Sequence, residues 1–277
     1  MQGRLTMNET SGSTPDKSRR GRNIGSYIML SLVLLVGALC LGAPNFEQSR
    51  GQARHSMSKI QLRQIEQALL RYHDEYGSFP PATVNGPDGR PWHSWRVLLL
   101  PFLEHLRSED DIYDEYRFDE PWDSPHNRGL AVTVKDGPYF APSDERAMRD
   151  RTTSYVAVVG ERAMWKPDGE VVRQSDVTDD PARTAHVIEM VESGILWTEP
   201  RDVDVDTMTF DVNAEVGEGI RGNHVGKEGW FGYHGPTRAS VSLLDGTALV
   251  LTPKTPPDTV RSLLLRDDGG PGESWDR

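Results

Sequence analysis

Two apolar patterns follow one another along the first quarter of the chain. From Ile24 to Ala43 (IGSYIMLSLVLLVGALCLGA) apolar residues run without period and without a charged side chain. About 20 helical residues span the roughly 30 Å of a bilayer's hydrocarbon core, so 24–43 is predicted to be a transmembrane helix. Lys17, Arg19, Arg20 and Arg22 lie just before it; the positive-inside rule puts this basic tail, 1–23, in the cytoplasm and the rest outside. A cleaved signal peptide competes with the anchor, because Leu39 to Ala43 offers small residues, although the apolar run exceeds a usual signal core. Pro44 predicts a break and a linker over 44–51. From Gln52 the period becomes helical: Leu62, Ile65, Leu69, Tyr72 and Tyr76 recur at spacings of three and four, with Lys59, Arg63, Glu66 and Asp74 assigned to other faces. Gly77 and Pro80-Pro81 end that helix.

Shorter patterns follow. Gly86 to Pro91 reads as a turn-rich loop. Ser94 caps a short helix through Leu99 with Pro101 at its kink, helical residues recur over Asp110 to Tyr116, and Ser124-Pro125 opens another helix to Leu130. The period then shortens. Ser154 to Gly160 and Ala185 to Val191 are β-branched and read as strands. Ala239 to Leu244 and Thr247 to Leu251 flank Asp245-Gly246, which predicts a hairpin with a type I′ turn, Val241 and Leu243 facing one side and Ser240 and Ser242 the other. Helix first and strands later predicts an α+β fold, with the amphipathic spine helix packed on an antiparallel β-sheet in a pilin-like way.

Charge narrows the partners. Removing the five basic and two acidic residues before position 44 from totals of 31 and 42 leaves 26 against 40, a formal charge of about −14. That excludes nucleic acid, whose binding needs a basic surface. The single cysteine, Cys40, falls inside the predicted span, so no internal disulfide can form. Residues 52–266 are long enough for one extracytoplasmic domain; Met1 to Arg22 and the tail 267–277 have the polar composition of disorder.

The runs LRQIEQALLRYHDEYGSFPP (62–81), HSWRVLLLPFLE (93–104), DEPWDSPHNRGL (119–130), TSYVAVVG (153–160) and WTEPRDVDVDT (197–207), then His234 ahead of Asp245-Gly246, resemble in order the bacterial domain-of-unknown-function 1559 family. The resemblance implies a prepilin-like N-terminus and a C-terminal signature of His234, Asp245 and Gly246, and no known activity. Here the apolar run contains no glutamate, and Ala141 stands where the family has a cysteine before Pro-Ser-Asp.

Three constellations could carry chemistry. Asp202, Asp204 and Asp206 alternate, so on a strand all three carboxylates share one face, and calcium is the cation such oxygens would take. Trp92, Trp95, Trp122, Trp197 and Trp230 accompany Asp119, Glu120, Asp123 and Glu199, the residue types of a glycan site. Eight histidines are scattered without a zinc motif, His224 and His234 being the best pair. His234 is expected to pin the approach to the hairpin. No nucleotide loop or nucleophile elbow occurs. The expectation is a non-enzymatic, single-pass inner-membrane protein of the cell envelope, held in lipid through 24–43 and associating with itself or with other envelope proteins; the alternative is a monomeric calcium- or glycan-binding module on a membrane stalk.

Overall fold

The structure, a computed structural model, describes residues 18–103, 112–134, 137–227 and 234–271, the side chains of 18–24, 38–49, 225–227 and 234–236 excepted. In chain order the elements are α1 (Ser18–Tyr76), β1 (Thr83–Asn85), β2 (Pro91–Ser94), α2 (Trp95–Leu98), α3 (Ile112–Glu115), α4 (Pro125–Thr133), α5 (Glu145–Asp150), β3 (Tyr155–Val156), β4 (Val158–Val159), β5 (Ala185–Glu189), β6 (Val203–Asp204), β7 (His224–Lys227), β8 (His234–Leu243), β9 (Ala248–Leu251) and α6 (Pro257–Leu264). The chain divides into two compact units, 1–47 and 48–277.

In the first unit, Tyr27 to Leu30 and Leu32 to Val36 are each more than half exposed, so this stretch of helix is apolar on every face. Among the described residues no helix is long and apolar enough to cross a membrane. The rest of the predicted span, Ile24 and 38–43, lies outside the described side chains. Residues 44–51 are helical where a break at Pro44 is expected, and the boundary between the two units, after Glu47, falls inside the predicted linker. One proline removes one hydrogen bond, and Leu39, Leu41, Ala43, Glu47 and Gln48, all good helix formers, lie within five residues of it. Helix also replaces the disorder expected over Ser18 to Arg22.

In the second unit α1 buries the stripe Ser58, Leu62, Ile65, Glu66, Ala68 and Leu69 completely. The periodicity is as expected; the burial of Glu66 is not. Gly77, at φ 74°, turns the chain away and its N–H caps His73 O at 2.8 Å. The stripe packs on an antiparallel sheet in the order β3, β5, β8, β7, with β9 added along β8. Alternation divides the sheet residues between two cores: Tyr155 and Val187 join the α1 side, whereas Val156, Ile188, Val241 and Leu243 join Val260, Leu263 and Leu264 of α6. The chain is thus α+β, with a sheet covered on both faces. The segment 154–160 is two short strands instead of one, and β4 pairs β6 in parallel, outside the antiparallel plan.

The hairpin has the expected strands, with Ser240 opposite Val250 and Ser242 opposite Ala248, but a different turn. Gly246 N–H bonds Leu243 O at 2.9 Å and only Gly246 has positive φ, 84°. This is a three-residue loop closed by a left-handed glycine, in place of the predicted type I′ turn. Asp245 sets it by accepting from Thr247 N–H at 2.9 Å and Thr247 Oγ1 at 2.6 Å. The predicted disordered tail is corrected over 267–271: Arg162 holds Asp267 at 2.7 Å, Asp179 accepts from the N–H groups of Asp268 and Gly269, and Arg183 donates to Pro271 O.

Candidate functional site

Trp92 is presented by β2, entered through a turn in which Gly86 N–H bonds Arg90 O at 2.8 Å and Asp88 accepts from Arg90 N–H at 3.0 Å. Its ring lies over Gly86 so closely that a Cβ there would be 2.1 Å from Trp92 Cε2. Trp122 is tied alongside by its own N–H, which donates to Trp92 O at 3.0 Å. The loop carrying Trp122 is clamped by the fully buried Asn127. Its amide donates to Arg117 O, Glu120 O and Pro121 O at 2.9 to 3.1 Å, and its Oδ1 accepts from Arg117 N–H at 3.0 Å. Ser124 caps α4, as expected, through Asn127 N–H at 3.1 Å.

The third wall is the 199–201 turn. Glu199 is held at both oxygens: Oε2 accepts from Leu196 N–H at 3.2 Å and Oε1 from Arg201 Nε at 2.7 Å. Together these segments enclose a cleft of about 280 Å³ whose lining includes Arg90, Trp92, Trp122, Asp123, Glu199 and Arg201. Of the tryptophan and carboxylate set singled out in the sequence, four residues converge here. Trp95 and Trp197 are core, Glu120 pairs with Arg117 at 2.9 Å, and Trp230 lies outside the described residues. A wider depression of about 710 Å³ has no aromatic lining, and its charges are engaged locally, Lys166 with Glu170 at 2.7 Å and Asp176 with Arg173 N–H at 2.9 Å.

The predicted calcium site is corrected. Asp202 is buried against Arg96, Nη2 to Oδ1 2.5 Å, and Oδ1 also accepts from Ala157 N–H at 2.8 Å, while Oδ2 accepts from Trp95 Nε1 at 3.1 Å. Burial raises the Asp202 pKa, against the pull of Arg96. β6 ends at Asp204, whose exposed carboxylate accepts from Asp206 N–H at 2.8 Å in a turn, so the period-two face never forms. Among the described residues no three metal-ligating side chains converge.

Sequence reasoning missed the buried acid–histidine pairs. Glu66 Oε1 lies 3.0 Å from His186 Nδ1, and its Oε2 accepts from Ser242 Oγ at 2.9 Å. Glu189 Oε1 lies 2.7 Å from His224 Nε2, and its Oε2 accepts from Ser240 N–H at 2.8 Å. Burial raises the pKa of Glu189, with His224 opposing. The His55 ring sits 4.7 Å from that of His224, and burial first, then His224, Lys59 and Arg238, lower its pKa to about 4. A serine-histidine-carboxylate set is present at Glu66, but the carboxylate stands between the other two, so nothing activates the hydroxyl. His224 is engaged by Glu189; the expected pairing with His234 lies outside the described side chains. His234 opens β8 opposite Lys227, so its backbone lies in the sheet itself.

No curated protein and no solved structure matches this chain. A family model described as a protein of unknown function, domain of unknown function 1559, matches residues 47–248, from the middle of α1 to the start of β9. The chain belongs to that family.

Proposed function

We propose that the protein is a membrane-tethered, pilin-like interaction protein of the bacterial cell envelope, without catalytic activity, whose larger unit stands outside the inner membrane. The observation that carries this reading is the run Tyr27 to Val36, in which nine large apolar side chains are more than half exposed around the whole circumference of a helix. Water tolerates no such surface, so it is covered by lipid or by neighbouring helices. The sequence stays apolar to Ala43, and four basic residues precede it. A spine helix seated on an antiparallel sheet adds a pilin-like architecture, which is an analogy of form. Expression of the full chain and of a variant lacking 24–43, followed by membrane fractionation and cross-linking, tests the proposal. The full chain should sediment with membranes and cross-link to itself or to envelope proteins. Recovery of the full chain in the soluble fraction would refute tethering, and membrane recovery without cross-linked species would refute assembly.

A second reading, a monomeric binding module on the same tether, is favoured by the tryptophan cleft. Its calcium version has no support from the placement of Asp202, Asp204 and Asp206.

A further inference from the structure

The cleft between Trp92 and Trp122 joins two half-buried indoles to two arginines and two carboxylates. Neither ring is consumed by the core, unlike Trp95, Trp165 and Trp197, which are fully buried. The positions of both are fixed locally: Gly86 leaves a bare backbone for the Trp92 ring, and Asn127 commits its side-chain amide to the loop before Trp122. Glu199 is likewise oriented at both oxygens, and each still has a free lone-pair direction. Asp123 is exposed at the rim, on the same wall as Trp122.

We infer that this cleft binds neutral carbohydrate, one or two rings of an oligosaccharide chain. An indole face needs a flat apolar partner, and the C–H face of a pyranose is one whose edges carry hydroxyls. Those hydroxyls each donate and accept, so they call for both Arg90 and Arg201 as donors and both Asp123 and Glu199 as acceptors. The four charges sum to zero, which removes the attraction that an acidic polysaccharide or a nucleic-acid strand would require. Proline-rich peptides also use aromatic grooves, but they bury few hydroxyl-type groups and give paired carboxylates nothing to accept. A volume of 280 Å³ is just below the roughly 300–1,000 Å³ of sites that engulf a whole small molecule, so the ligand extends beyond the cleft.

The test uses the purified full chain in detergent, with cellotetraose, maltotetraose and tetra-N-acetylchitotetraose as neutral probes, polygalacturonate as the acidic probe and a proline-rich decapeptide as the competitor class. Binding is read by calorimetry and by tryptophan emission. At least one neutral probe should bind saturably, with Trp122→Ala and Gly86→Ala each weakening it tenfold or more and Glu199→Gln weakening it several-fold. Trp122→Phe, which keeps an aromatic face, should retain most of the affinity, separating stacking from folding; an unchanged melting temperature in Trp122→Ala makes the same distinction. The inference is overturned if no neutral probe binds, if binding survives Trp122→Ala and Gly86→Ala unchanged, or if only polygalacturonate or the peptide binds. Because it is scored on isolated chain, the result is independent of membrane recovery and of self-association.

Discussion

Asp202 Oδ1 lies 2.5 Å from Nη2 of Arg96, and neither side chain has more than 1% of its surface exposed. The guanidinium is also spent on Tyr155 O through Nε and Nη2, on Ser94 Oγ through Nη1, and lies 4.6 Å over the Trp95 ring. The pair therefore joins α2, β3 and the residue preceding β6. Removing the carboxylate charge leaves a buried cation, a change that costs about 3–5 kcal/mol. Asp202→Asn should lower the denaturation midpoint accordingly. Asp204→Asn and Asp206→Asn, both exposed, should each stay within about 0.5 kcal/mol. Millimolar calcium should leave the melting curve of the parent chain unmoved; a calcium-induced rise that Asp206→Asn abolished would reinstate the cation site.

Glu66 fastens α1 to the sheet, since both of its oxygens are taken by sheet side chains, His186 in β5 and Ser242 in β8. Glu66→Ala removes the partner of His186 Nδ1 and the acceptor of the Ser242 O–H, while Ser242 Oγ keeps the Val187 N–H at 3.0 Å, and it leaves a void at the helix stripe; at about 1–3 kcal/mol for each unsatisfied group the loss is roughly 2–6 kcal/mol. Glu66→Gln keeps the shape and one acceptor and should lose markedly less. Urea unfolding of the two variants, compared at equal m-value, checks the order.

Two glycines should lose stability to very different extents when changed to alanine. At Gly246 φ is 84° but open space surrounds the position of a Cβ, so Gly246→Ala costs only the left-handed strain, about 1–2 kcal/mol. At Gly222 a Cβ would lie 2.3 Å from Arg238 O and 2.6 Å from Ala239 Cα. Backbone cannot yield there without parting the strands, and Gly222→Ala should abolish folding at 37 °C or exceed about 4 kcal/mol. Thermal denaturation decides, and equal losses at the two sites would contradict this difference in packing.

His55 makes stability depend on pH. Its folded pKa is about 4 against 6.5 for the free side chain, so the unfolded chain binds the extra proton between those values and the native state does not. Stability contributed by this group is therefore full above pH 6.5 and is lost as pH falls towards 4. The ring is only half-buried, so solvent keeps the slope below the ceiling of about 1.4 kcal/mol per pH unit for one proton. Glu189, whose pKa burial raises, works in the opposite sense, favouring the native state at low pH. His55→Gln should flatten the melting-temperature profile between pH 6.5 and 4 relative to the parent, and an unchanged profile would show that His55 is solvated.

What the chain declares on its own is local. The 3–4 spacing of Leu62, Ile65 and Leu69 fixes the inward stripe of α1, Ser94 and Ser124 cap the helices they precede, and the alternation of residues 239–251 fixes strand pairing, because each depends on neighbours within a few residues. Order and spacing of the motifs likewise carried the family resemblance. Charge placement was decided elsewhere. Glu66 and Asp202 read as solvated in one dimension, since a carboxylate is buried only when a distant partner meets it, and His186 and Arg96 stand 120 and 106 residues away. Asp204 and Asp206 share no face with Asp202 because β6 ends after two residues, and strand length is set by what the partner strand offers. The cleft has the same origin: Trp92, Trp122 and Glu199 come from three segments, and only the backbone bond from Trp122 to Trp92 and the seats made by Gly86 and Asn127 bring their faces together.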